Sequence, residues 1–239
     1  ALHVGTDGVI GTYSWTQGIS SADNTIQAIT AGEITNLNIT SGNLAGSTTF
    51  VSLDAVLVIG TTTIDVDDDL TITAGPDGAT SVGNITVTGL AGATIALGTW
   101  AAGASTTVGD ITFKGASTAA SITIGSVLSV GAVSTAAATS GTYTIILNVG
   151  TVIGTTMTGG AGVDIFTGTG GADIFHFGTA DQMTGLAGAD AFNAAAAVAS
   201  ATITGGSGAD TVTLANGVNT LTIADDTVSV TGGTGVDTI

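Results

Sequence analysis

The sequence predicts an all-β protein whose C-terminal third is a parallel β-roll, a solenoid of short strands and tight turns. Three observations support this fold class. From Gly159 onward the chain repeats a nine-residue pattern, its apolar residues alternate with Thr or Asn, and no stretch has the 3.6-residue period of an amphipathic helix. The first 149 residues are also β-rich but irregular, and their pattern fits either a wider β-helix or a β-sandwich.

The nine-residue modules share one layout. Small residues ending in Asp or Asn form the first half, and one apolar residue between two polar ones forms the second. Glycines in the first half allow a tight turn, and the alternation gives a short strand with one side chain pointing inward. The modules span 159–167, 168–176, the eight-residue 177–184, 185–193, the eleven-residue 194–204, 205–213, 214–222, 223–231 and the incomplete 232–239. The central apolar residues, expected in the core, are Phe166, Phe175, Phe192, Val212, Leu221, Val230 and Ile239.

The first of these modules carries a family resemblance. Residues 159–167 read Gly-Gly-Ala-Gly-Val-Asp-Ile-Phe-Thr, which resembles the calcium-binding G-G-x-G-x-D-x-U-x nonapeptide of the RTX (repeats-in-toxin) family. Full or nearly full copies begin at Gly159, Gly205 and Gly232, whereas the copies that begin at Gly168 and Gly185 lack the second Gly. Two modules would make one coil, so that equivalent positions stack about every 18 residues and alternate modules lie on opposite edges.

The resemblance covers about the last third of the chain and implies two domains. Residues 1–149 would form a Gly/Ala/Thr-rich β-domain, and residues 150–239 an RTX-type calcium-binding roll that is truncated at its C-terminus. Because the chain starts at Ala1 and stops within a repeat, we expect it to be a piece of a longer protein.

The RTX resemblance implies Ca²⁺ as the cofactor, bound between the turns of successive coils. Calcium takes six to eight oxygen ligands, which Gly-rich turns supply as carbonyls and Asp residues as carboxylates. We expect two good sites on one edge, between Asp173 and Asp190 and between Asp190 and Asp210, provided that the eleven-residue module bulges out without breaking the stack. The turn glycines expected to complete the calcium sites are Gly160, Gly162, Gly171, Gly188, Gly206, Gly208, Gly233 and Gly235.

Weaker calcium sites are expected on the other edge. They pair Asp164 with Asp181, which is displaced by one position, and Asn219 with Asp237. The alternative is that all of these residues only cap turns, since Asp and Asn beside Gly favour Asx-turns. We prefer the metal sites, because stacked carboxylates without a cation would repel one another.

A second acidic cluster lies in the N-terminal part. Asp65, Asp67 and Asp69 resemble the start of an EF-hand loop, but Leu70 and Pro76 stand where that loop requires Gly and Glu, so this interpretation fails. In an extended segment the three carboxylates would project from one face and could form a calcium site shared with another loop or chain. A solvated turn is an equal alternative.

The charge balance excludes several partners. One Lys, no Arg and 18 acidic residues give a net charge of −17, so the chain cannot neutralise nucleic-acid phosphates or dock on anionic lipid. No apolar run is long enough to span a membrane, and the absence of Cys excludes disulfides and thiolate metal sites. Bound calcium would supply the missing positive charge.

A fainter repeat marks the N-terminal part. The segments 32–35, 83–86 and 109–112 read Gly-Glu-Ile-Thr, Gly-Asn-Ile-Thr and Gly-Asp-Ile-Thr. The interval between the last two, from position 83 to position 109, suits three strands per coil. We therefore slightly favour a wide β-helix that continues into the narrower roll.

Other polar and aromatic residues have structural interpretations. The histidines His3 and His176 are too poorly accompanied for zinc, and we expect His176 at the surface. We expect Tyr13, Trp15 and Trp100 to cover core or interface rather than to bind sugar. Thr-x-Thr rows recur every nine residues near the C-terminus and resemble ice-binding solenoids, but each face holds only two rows, and Thr is an ordinary outward strand residue.

No sequence motif for catalysis is present, and we expect a protein that is not an enzyme. The low-charge, Gly/Ala/Thr-rich chain resembles bacterial surface-layer proteins. This resemblance implies an extracellular structural protein at the bacterial cell surface that self-assembles into a lattice or filament, with cell-surface polysaccharide as a further partner. The alternative is the RTX module of a large secreted adhesin, or of a toxin or hydrolase whose catalytic domain lies outside this chain.

Overall fold

In the computed structural model, two long parallel β-sheets enclose one hydrophobic core. The structure describes residues 2–3, 8–16, 24–41, 48–52, 58–67, 69–73, 75, 79–100, 106–125, 127–147, 153–224 and 228–239. Only the backbone is described for residues 2–3, 24–28, 30, 41 and 48–52.

The described residues form 27 short strands and no helix, which confirms the all-β prediction. The strands of the first part are β1 (Leu2–His3), β2 (Val9–Thr16), β3 (Asn24–Thr30), β4 (Glu33–Ser41), β5 (Thr48–Ser52), β6 (Val58–Val66), β7 (Leu70–Ile72), β8 (Ser81–Val82), β9 (Ile85–Gly89), β10 (Thr94–Trp100), β11 (Thr107–Val108), β12 (Ile111–Gly115), β13 (Ala119–Ile124), β14 (Ser129–Val130), β15 (Val133–Ala138) and β16 (Thr142–Leu147). Those of the second part are β17 (Thr156–Thr158), β18 (Val163–Thr167), β19 (Ile174–Phe177), β20 (Gln182–Ala187), β21 (Ala191–Ala194), β22 (Thr202–Ser207), β23 (Thr211–Thr213), β24 (Asn219–Thr220), β25 (Thr222–Ile223), β26 (Ser229–Thr231) and β27 (Asp237–Thr238).

The strands pair in the order expected of a solenoid. Sheet 1 has eleven strands in the order β1-β3-β5-β7-β10-β13-β16-β18-β20-β22-β25. Sheet 2 has fourteen strands: the path β14-β11-β8-β6-β9-β12-β15-β17-β19-β21-β23-β26, with β4 beside β6 and β2 beside β4. A third sheet contains only β24 and β27. Because the chain alternates between sheets 1 and 2 and the pairing is parallel, each strand stacks on the equivalent strand of the next coil.

The coils are wide in the first part and narrow in the second. Ile85 of β9 pairs with Ile111 of β12 across one wide coil, whereas Thr156 of β17 pairs with Ile174 of β19 across one narrow coil. Both sheets continue from the wide coils into the narrow ones. The solenoid therefore runs through the whole described chain, and the sandwich alternative for the first part is wrong.

The N-terminal repeat is in register at two of its three segments. Strands β8 and β9 both pair with β6, so β8, β9 and β10 give the predicted three strands per coil. The first segment is out of register, because Ile34 pairs with Ile59, which pairs with Val82 rather than Ile85. Because the coils of the first part differ in length, the Gly-Glu-Ile-Thr segment does not stack on the two later segments that it resembles.

The irregular modules do not interrupt the stack. The eight-residue module shortens its coil, so that Ile174 pairs with Ala191, and the eleven-residue module lengthens the next, so that Ala191 pairs with Thr211. The extra residues are absorbed in turns, as the expected metal sites require.

The core is a set of apolar columns along the solenoid axis. Of the predicted core residues, five are buried, Val230 is half-buried and Ile239 is 61% exposed. Phe175 and Phe192 stack face to face in successive coils, with ring centroids 4.8 Å apart. The buried predicted residues are Phe166, Phe175, Phe192, Val212 and Leu221.

The aromatic residues of the first part belong to the core, as expected. Trp100 is fully buried, and Tyr13 and Trp15 pack against the core while remaining partly exposed. The described residues contain no helix of the length and apolarity needed to cross a membrane.

Candidate metal centre

Three carboxylates stack on one edge of the narrow coils, and we call them the carboxylate ladder: Asp173, Asp190 and Asp210. All three side chains are buried. The backbone N–H of Asp173 donates to Oδ1 of Asp190 at 2.7 Å, and the N–H of Asp190 donates to Oδ1 of Asp210 at 2.8 Å. The structure thus brings together the residues of the two expected good sites, in the expected order.

The first glycine of each module makes room for the carboxylate of the same module. A Cβ atom at this position would lie closer than 3 Å to Oδ2 of the Asp that follows in the same module. The same relationship holds in all five modules that begin with Gly and carry an Asp at the sixth position. These first glycines are Gly159, Gly168, Gly185, Gly205 and Gly232.

Most of the other turn glycines permit a close approach of neighbouring coils. A Cβ atom on any of them would collide with a backbone carbonyl oxygen of the preceding coil, so carbonyl groups line the stacked turns, as calcium coordination would need. The glycines with this contact are Gly160, Gly162, Gly188, Gly206, Gly208, Gly233 and Gly235. Gly171 takes part from the other side, because its carbonyl oxygen lies against Gly188.

The carboxylates of the ladder differ in whether the second residue of their turn donates a hydrogen bond to Oδ2, and this depends on the φ angle of that residue. In module 168–176 the N–H of Thr169 donates to Oδ2 of Asp173 at 2.6 Å. In modules 185–193 and 205–213 the second residue has a positive φ, 80° at Leu186 and 98° at Gly206. There Oδ2 of the module's own Asp has no hydrogen-bond partner among the described residues.

Two carboxylate oxygens are therefore buried without a partner, Oδ2 of Asp190 and Oδ2 of Asp210. Leaving a buried charged acceptor unsatisfied is costly, and native proteins rarely do so without a bound ion, water or functional reason. The two oxygens belong to successive coils of the same ladder, and this is the strongest indication of a cation in the structure.

A neighbouring turn indicates which oxygens surround such a position. In module 214–222, Asn219 replaces the Asp, and its Nδ2 donates to the carbonyls of Ala215 and Gly217 at 2.9 and 3.3 Å and to Oδ1 of Asp237 at 2.7 Å. The amide NH₂ occupies a nest of three oxygens, formed by the second and fourth turn carbonyls and the next coil's carboxylate. In the turn of Asp190 a cation would replace this donor between the turn carbonyls and the carboxylate of Asp210, so the residues present there fit calcium. In the turn of Asp210 the next coil has Val228 at the sixth position and supplies no carboxylate there.

The same contacts argue against a metal between Asn219 and Asp237. The amide oxygen of Asn219 accepts from the N–H of Val198 at 3.0 Å, which fixes the NH₂ group toward Asp237. A donor group stands where a cation would bind. This pair, expected as a weak site, is joined by a direct hydrogen bond and does not need an ion.

Asp164 and Asp181 stack on the other edge, and their carboxylates are satisfied by protein groups. Asp181 accepts from the N–H of Asp164 at 2.9 Å and from the N–H of Gly178 at 2.6 Å. Asp164 accepts from the hydroxyl of Thr135 at 2.7 Å and from the N–H of Gly160 at 2.9 Å. The side chains meet as expected, but every carboxylate oxygen already has a donor, so this pair fits the turn-capping alternative.

Burial raises the pKa of four of the stacked carboxylates. It raises the pKa of Asp190 to about 6, and the nearby charges of Asp173 and Asp210 add to this, while the hydrogen bond from the Asp173 N–H opposes it. Burial likewise raises the pKa of Asp181 to about 6 and the pKa values of Asp164 and Asp173 above their usual value. Ionised carboxylates are thus destabilised here unless a positive charge joins them.

The acidic cluster of the first part does not lie on one continuous strand. Strand β6 ends at Val66 and the chain bends at Asp67, so the extended segment that would align Asp65, Asp67 and Asp69 is absent from the described structure. Asp65 is exposed, and Oδ1 of Asp69 accepts the N–H of Thr94 at 2.8 Å. Within the described part of the chain, no three His, Cys, Asp or Glu side chains converge on one point, so a metal shell there would need other oxygen ligands, such as backbone carbonyls.

One polar ladder was not predicted from the sequence. Oδ1 of Asn84 accepts the N–H of Asp110 at 3.0 Å, and Oδ1 of Asp110 accepts the N–H of Ala132 at 2.9 Å. Here each side chain accepts from the following coil, whereas the carboxylate ladder accepts from the preceding one. The sequence signal that could have revealed this ladder is the recurrence of Gly-Asn at 83–84 as Gly-Asp at 109–110, directly before strands β9 and β12.

Comparison of the chain with protein-family models, curated proteins and solved structures finds no match. The fold and the hydrogen-bonded turns are therefore the basis for any functional proposal.

Proposed function

We propose that this chain is a calcium-dependent structural protein that folds outside the cell and self-assembles into a surface lattice or filament. The observation that carries the proposal is the pair of buried carboxylate oxygens without a partner, Oδ2 of Asp190 and Oδ2 of Asp210. A calcium ion bound at these oxygens and at the turn carbonyls would remove the cost of burying them.

Calcium would couple folding to location. A ligand that binds only the folded chain stabilises it by RT ln(1 + [L]/Kd), about 2.7 kcal/mol when the ligand is at a hundred-fold excess over Kd. Extracellular calcium modules have Kd values of about 10⁻⁴ to 10⁻³ M. In low calcium, the net charge of −17 and the buried carboxylates lower the stability of the folded chain, which favours export. In millimolar calcium the folded coils would gain stability.

The solenoid supports a structural rather than a catalytic role. Its described surface is rich in Thr, Ser, Ala and Gly, and many of its described side-chain hydrogen bonds join one coil to the next. Repeated coils of this kind give a stiff rod whose two ends and faces are available for regular contacts.

The experiment compares the chain in calcium, in magnesium and in EDTA. We expect calcium to raise the melting temperature of the β-sheet signal in circular dichroism, and we expect the assemblies in electron microscopy to require calcium, with magnesium a poor substitute because it prefers a smaller octahedral shell. Isothermal titration should give at least one site. If EDTA leaves both the melting temperature and the assemblies unchanged, the proposal is wrong.

A further inference from the structure

One outer face of the solenoid carries no charge. Among the residues of the eleven strands of sheet 1, Asp164 is the one Asp, Glu, Lys or Arg, and its side chain is buried. On sheet 2, by contrast, Glu33, Asp65 and Lys114 lie on strands, and the last two are exposed. An uncharged face of this extent is unexpected in a protein with a net charge of −17.

We call the outward side chains of β10, β13, β16, β18, β20, β22 and β25 the neutral face. Two columns of these side chains run across the strands, and each column takes one residue from each coil. One column contains Ala96, Ser121, Thr144, Ile165, Gln182, Thr202 and Thr222. The other contains Thr99, Thr123, Ile146, Thr167, Thr184 and Thr204.

Two apolar side chains lie near the middle of the neutral face. Ile146 is 36% exposed, and Ile165 is half-buried in the next coil. Thr144 adjoins both, because it lies two residues before Ile146 on β16 and pairs directly with Ile165 of β18. The centre of the face is thus apolar and β-branched, with Thr and Ser around it.

We propose that the neutral face is a self-association surface, on which the neutral face of a second copy packs. This inference rests on the proposed calcium-dependent assembly and names the surface that mediates it. Two identical patches that pack on each other imply a two-fold arrangement.

The charge distribution favours a second copy at this face. Two chains of −17 repel each other, and a contact through any acidic turn would also desolvate carboxylates. A contact through the neutral face brings no carboxylates close together and desolvates none. Calcium bound at the carboxylate ladder would further lower the long-range repulsion.

The repeat distance and the area also favour a second copy. Successive residues of a column lie on neighbouring strands, about 4.7–4.9 Å apart, and an identical face has the same spacing, so the side chains of one copy fit between those of the other. The seven strands of the neutral face at this spacing, each about 17 Å long, give an area of about 570 Å² per copy, or about 1,100 Å² for the two copies together, which exceeds the roughly 1,000 Å² expected of a biological interface. A polysaccharide would find few of the aromatic, amide or carboxylate groups that hold sugars, since Tyr143 and Trp100 are buried.

The test places one negative charge on each face in turn. Thr144→Asp introduces it at the centre of the neutral face, and Thr86→Asp is the matched control on β9 of sheet 2, because both threonines are outward-facing and half-buried. Sedimentation equilibrium of the 239-residue chain in millimolar calcium gives the dimer Kd. We expect wild type and Thr86→Asp to dimerise with similar Kd values, and Thr144→Asp to weaken dimerisation at least about 100-fold, since like charges would face each other.

Thermal melts of the same samples separate misfolding from lost contact. If Thr144→Asp lowers the melting temperature more than Thr86→Asp, the exposed Thr202 provides a second neutral-face variant, Thr202→Asp. A folded wild-type chain that stays monomeric in calcium, or equal weakening by the variants of both faces, would overturn the inference and leave the face to a neutral polymer such as polysaccharide. If instead the chain is as stable in EDTA as in calcium and dimerises through this face equally well in both, the self-association surface stands and the calcium proposal fails.

Discussion

The backbone N–H of Asp190 donates a 2.8 Å hydrogen bond to Oδ1 of Asp210 in the next coil, while Oδ2 of that same Asp210 is buried without a partner. One oxygen of the carboxylate therefore joins two coils, and the other is left for a ligand. Asp190 and Asp210 thus each keep one carboxylate oxygen without a donor. In Asp164 and Asp181, by contrast, protein donors satisfy all the carboxylate oxygens.

The substitution Asp210→Asn should have opposite effects with and without calcium. Without calcium it removes a buried charge, and the turn of Asn219 demonstrates that an amide at this position can donate to the turn carbonyls. We expect the unfolding free energy in EDTA to rise by about 1 kcal/mol. The stabilisation by calcium should be lost.

Urea denaturation in EDTA and in calcium measures both effects. The control is Asp110→Asn, the same chemical change at an exposed residue whose Oδ1 accepts the N–H of Ala132. It should leave the calcium response intact. A variant at position 210 that keeps the full calcium response would exclude Asp210 from the site.

In the absence of calcium, stability should fall as the pH rises from about 4 to about 6. Burial raises the pKa of Asp181 and of Asp190 to about 6, above the usual 3.8, so between these values the folded state binds more protons than the unfolded state. The stabilisation from this difference is fully present below the unfolded pKa and is lost as the pH rises through the folded pKa.

Melting curves in EDTA at pH 5 and pH 7.5 test the sign. A linkage of even about 1 kcal/mol shifts Tm by roughly 2–4 °C in a chain of this size. With calcium the slope should reverse, because the ion competes with protons for the same carboxylates. Asp190→Asn should reduce the slope in EDTA, and a slope that Asp190→Asn does not change would refute this assignment.

The sequence predicted much of the candidate site because the determinants are local. The nine-residue spacing of Gly and Asp defines the turns, and two modules per coil bring Asp173, Asp190 and Asp210 together. What the spacing could not predict is which carboxylate keeps a free oxygen. That depends on the φ of the second turn residue, and Leu186 adopts a positive φ of 80° where the pattern would have required Gly.

The wide coils were harder to predict, because their length varies and their strands look alike. The run Thr61-Thr62-Thr63 has no alternation that marks an inward residue, yet Thr62 is the one that is buried, between Leu37 and Ile85 of the neighbouring coils. The segment 32–35 matched the later segments by composition but lies out of register with them. Pairing between coils, not local pattern, sets the register there.

The first glycine of a module should not tolerate a side chain. In Gly185→Ala the new Cβ would overlap Oδ2 of Asp190 and the carbonyl oxygen of Gly205, so either the carboxylate or the backbone must move. We expect a loss of roughly 1–3 kcal/mol of unfolding free energy, as for other overpacked sites, and weaker calcium binding.

Chemical denaturation and calcium titration measure this loss. Gly11→Ala in β2 is the control, since a Cβ there would meet no described atom within 4 Å. It should be neutral or slightly stabilising, because Ala loses less chain entropy than Gly. If the two variants lost equal amounts of unfolding free energy, the close packing of Gly185 against Asp190 would not contribute to stability.

Replacing Leu186 by Gly should stabilise the fold. A positive φ costs a residue with a Cβ roughly 1–2 kcal/mol, whereas Gly adopts it freely at an entropic cost of roughly 0.5–1 kcal/mol. Leu186 is 41% exposed, so little buried apolar area is lost. The expected net gain is roughly 0.5–1 kcal/mol, measured by urea denaturation. Leu128 is the matched control: it is 42% exposed and does not have a positive φ, so Leu128→Gly should destabilise the protein by about the entropic cost of Gly. If both variants were destabilised alike, the left-handed turn at Leu186 would carry no strain.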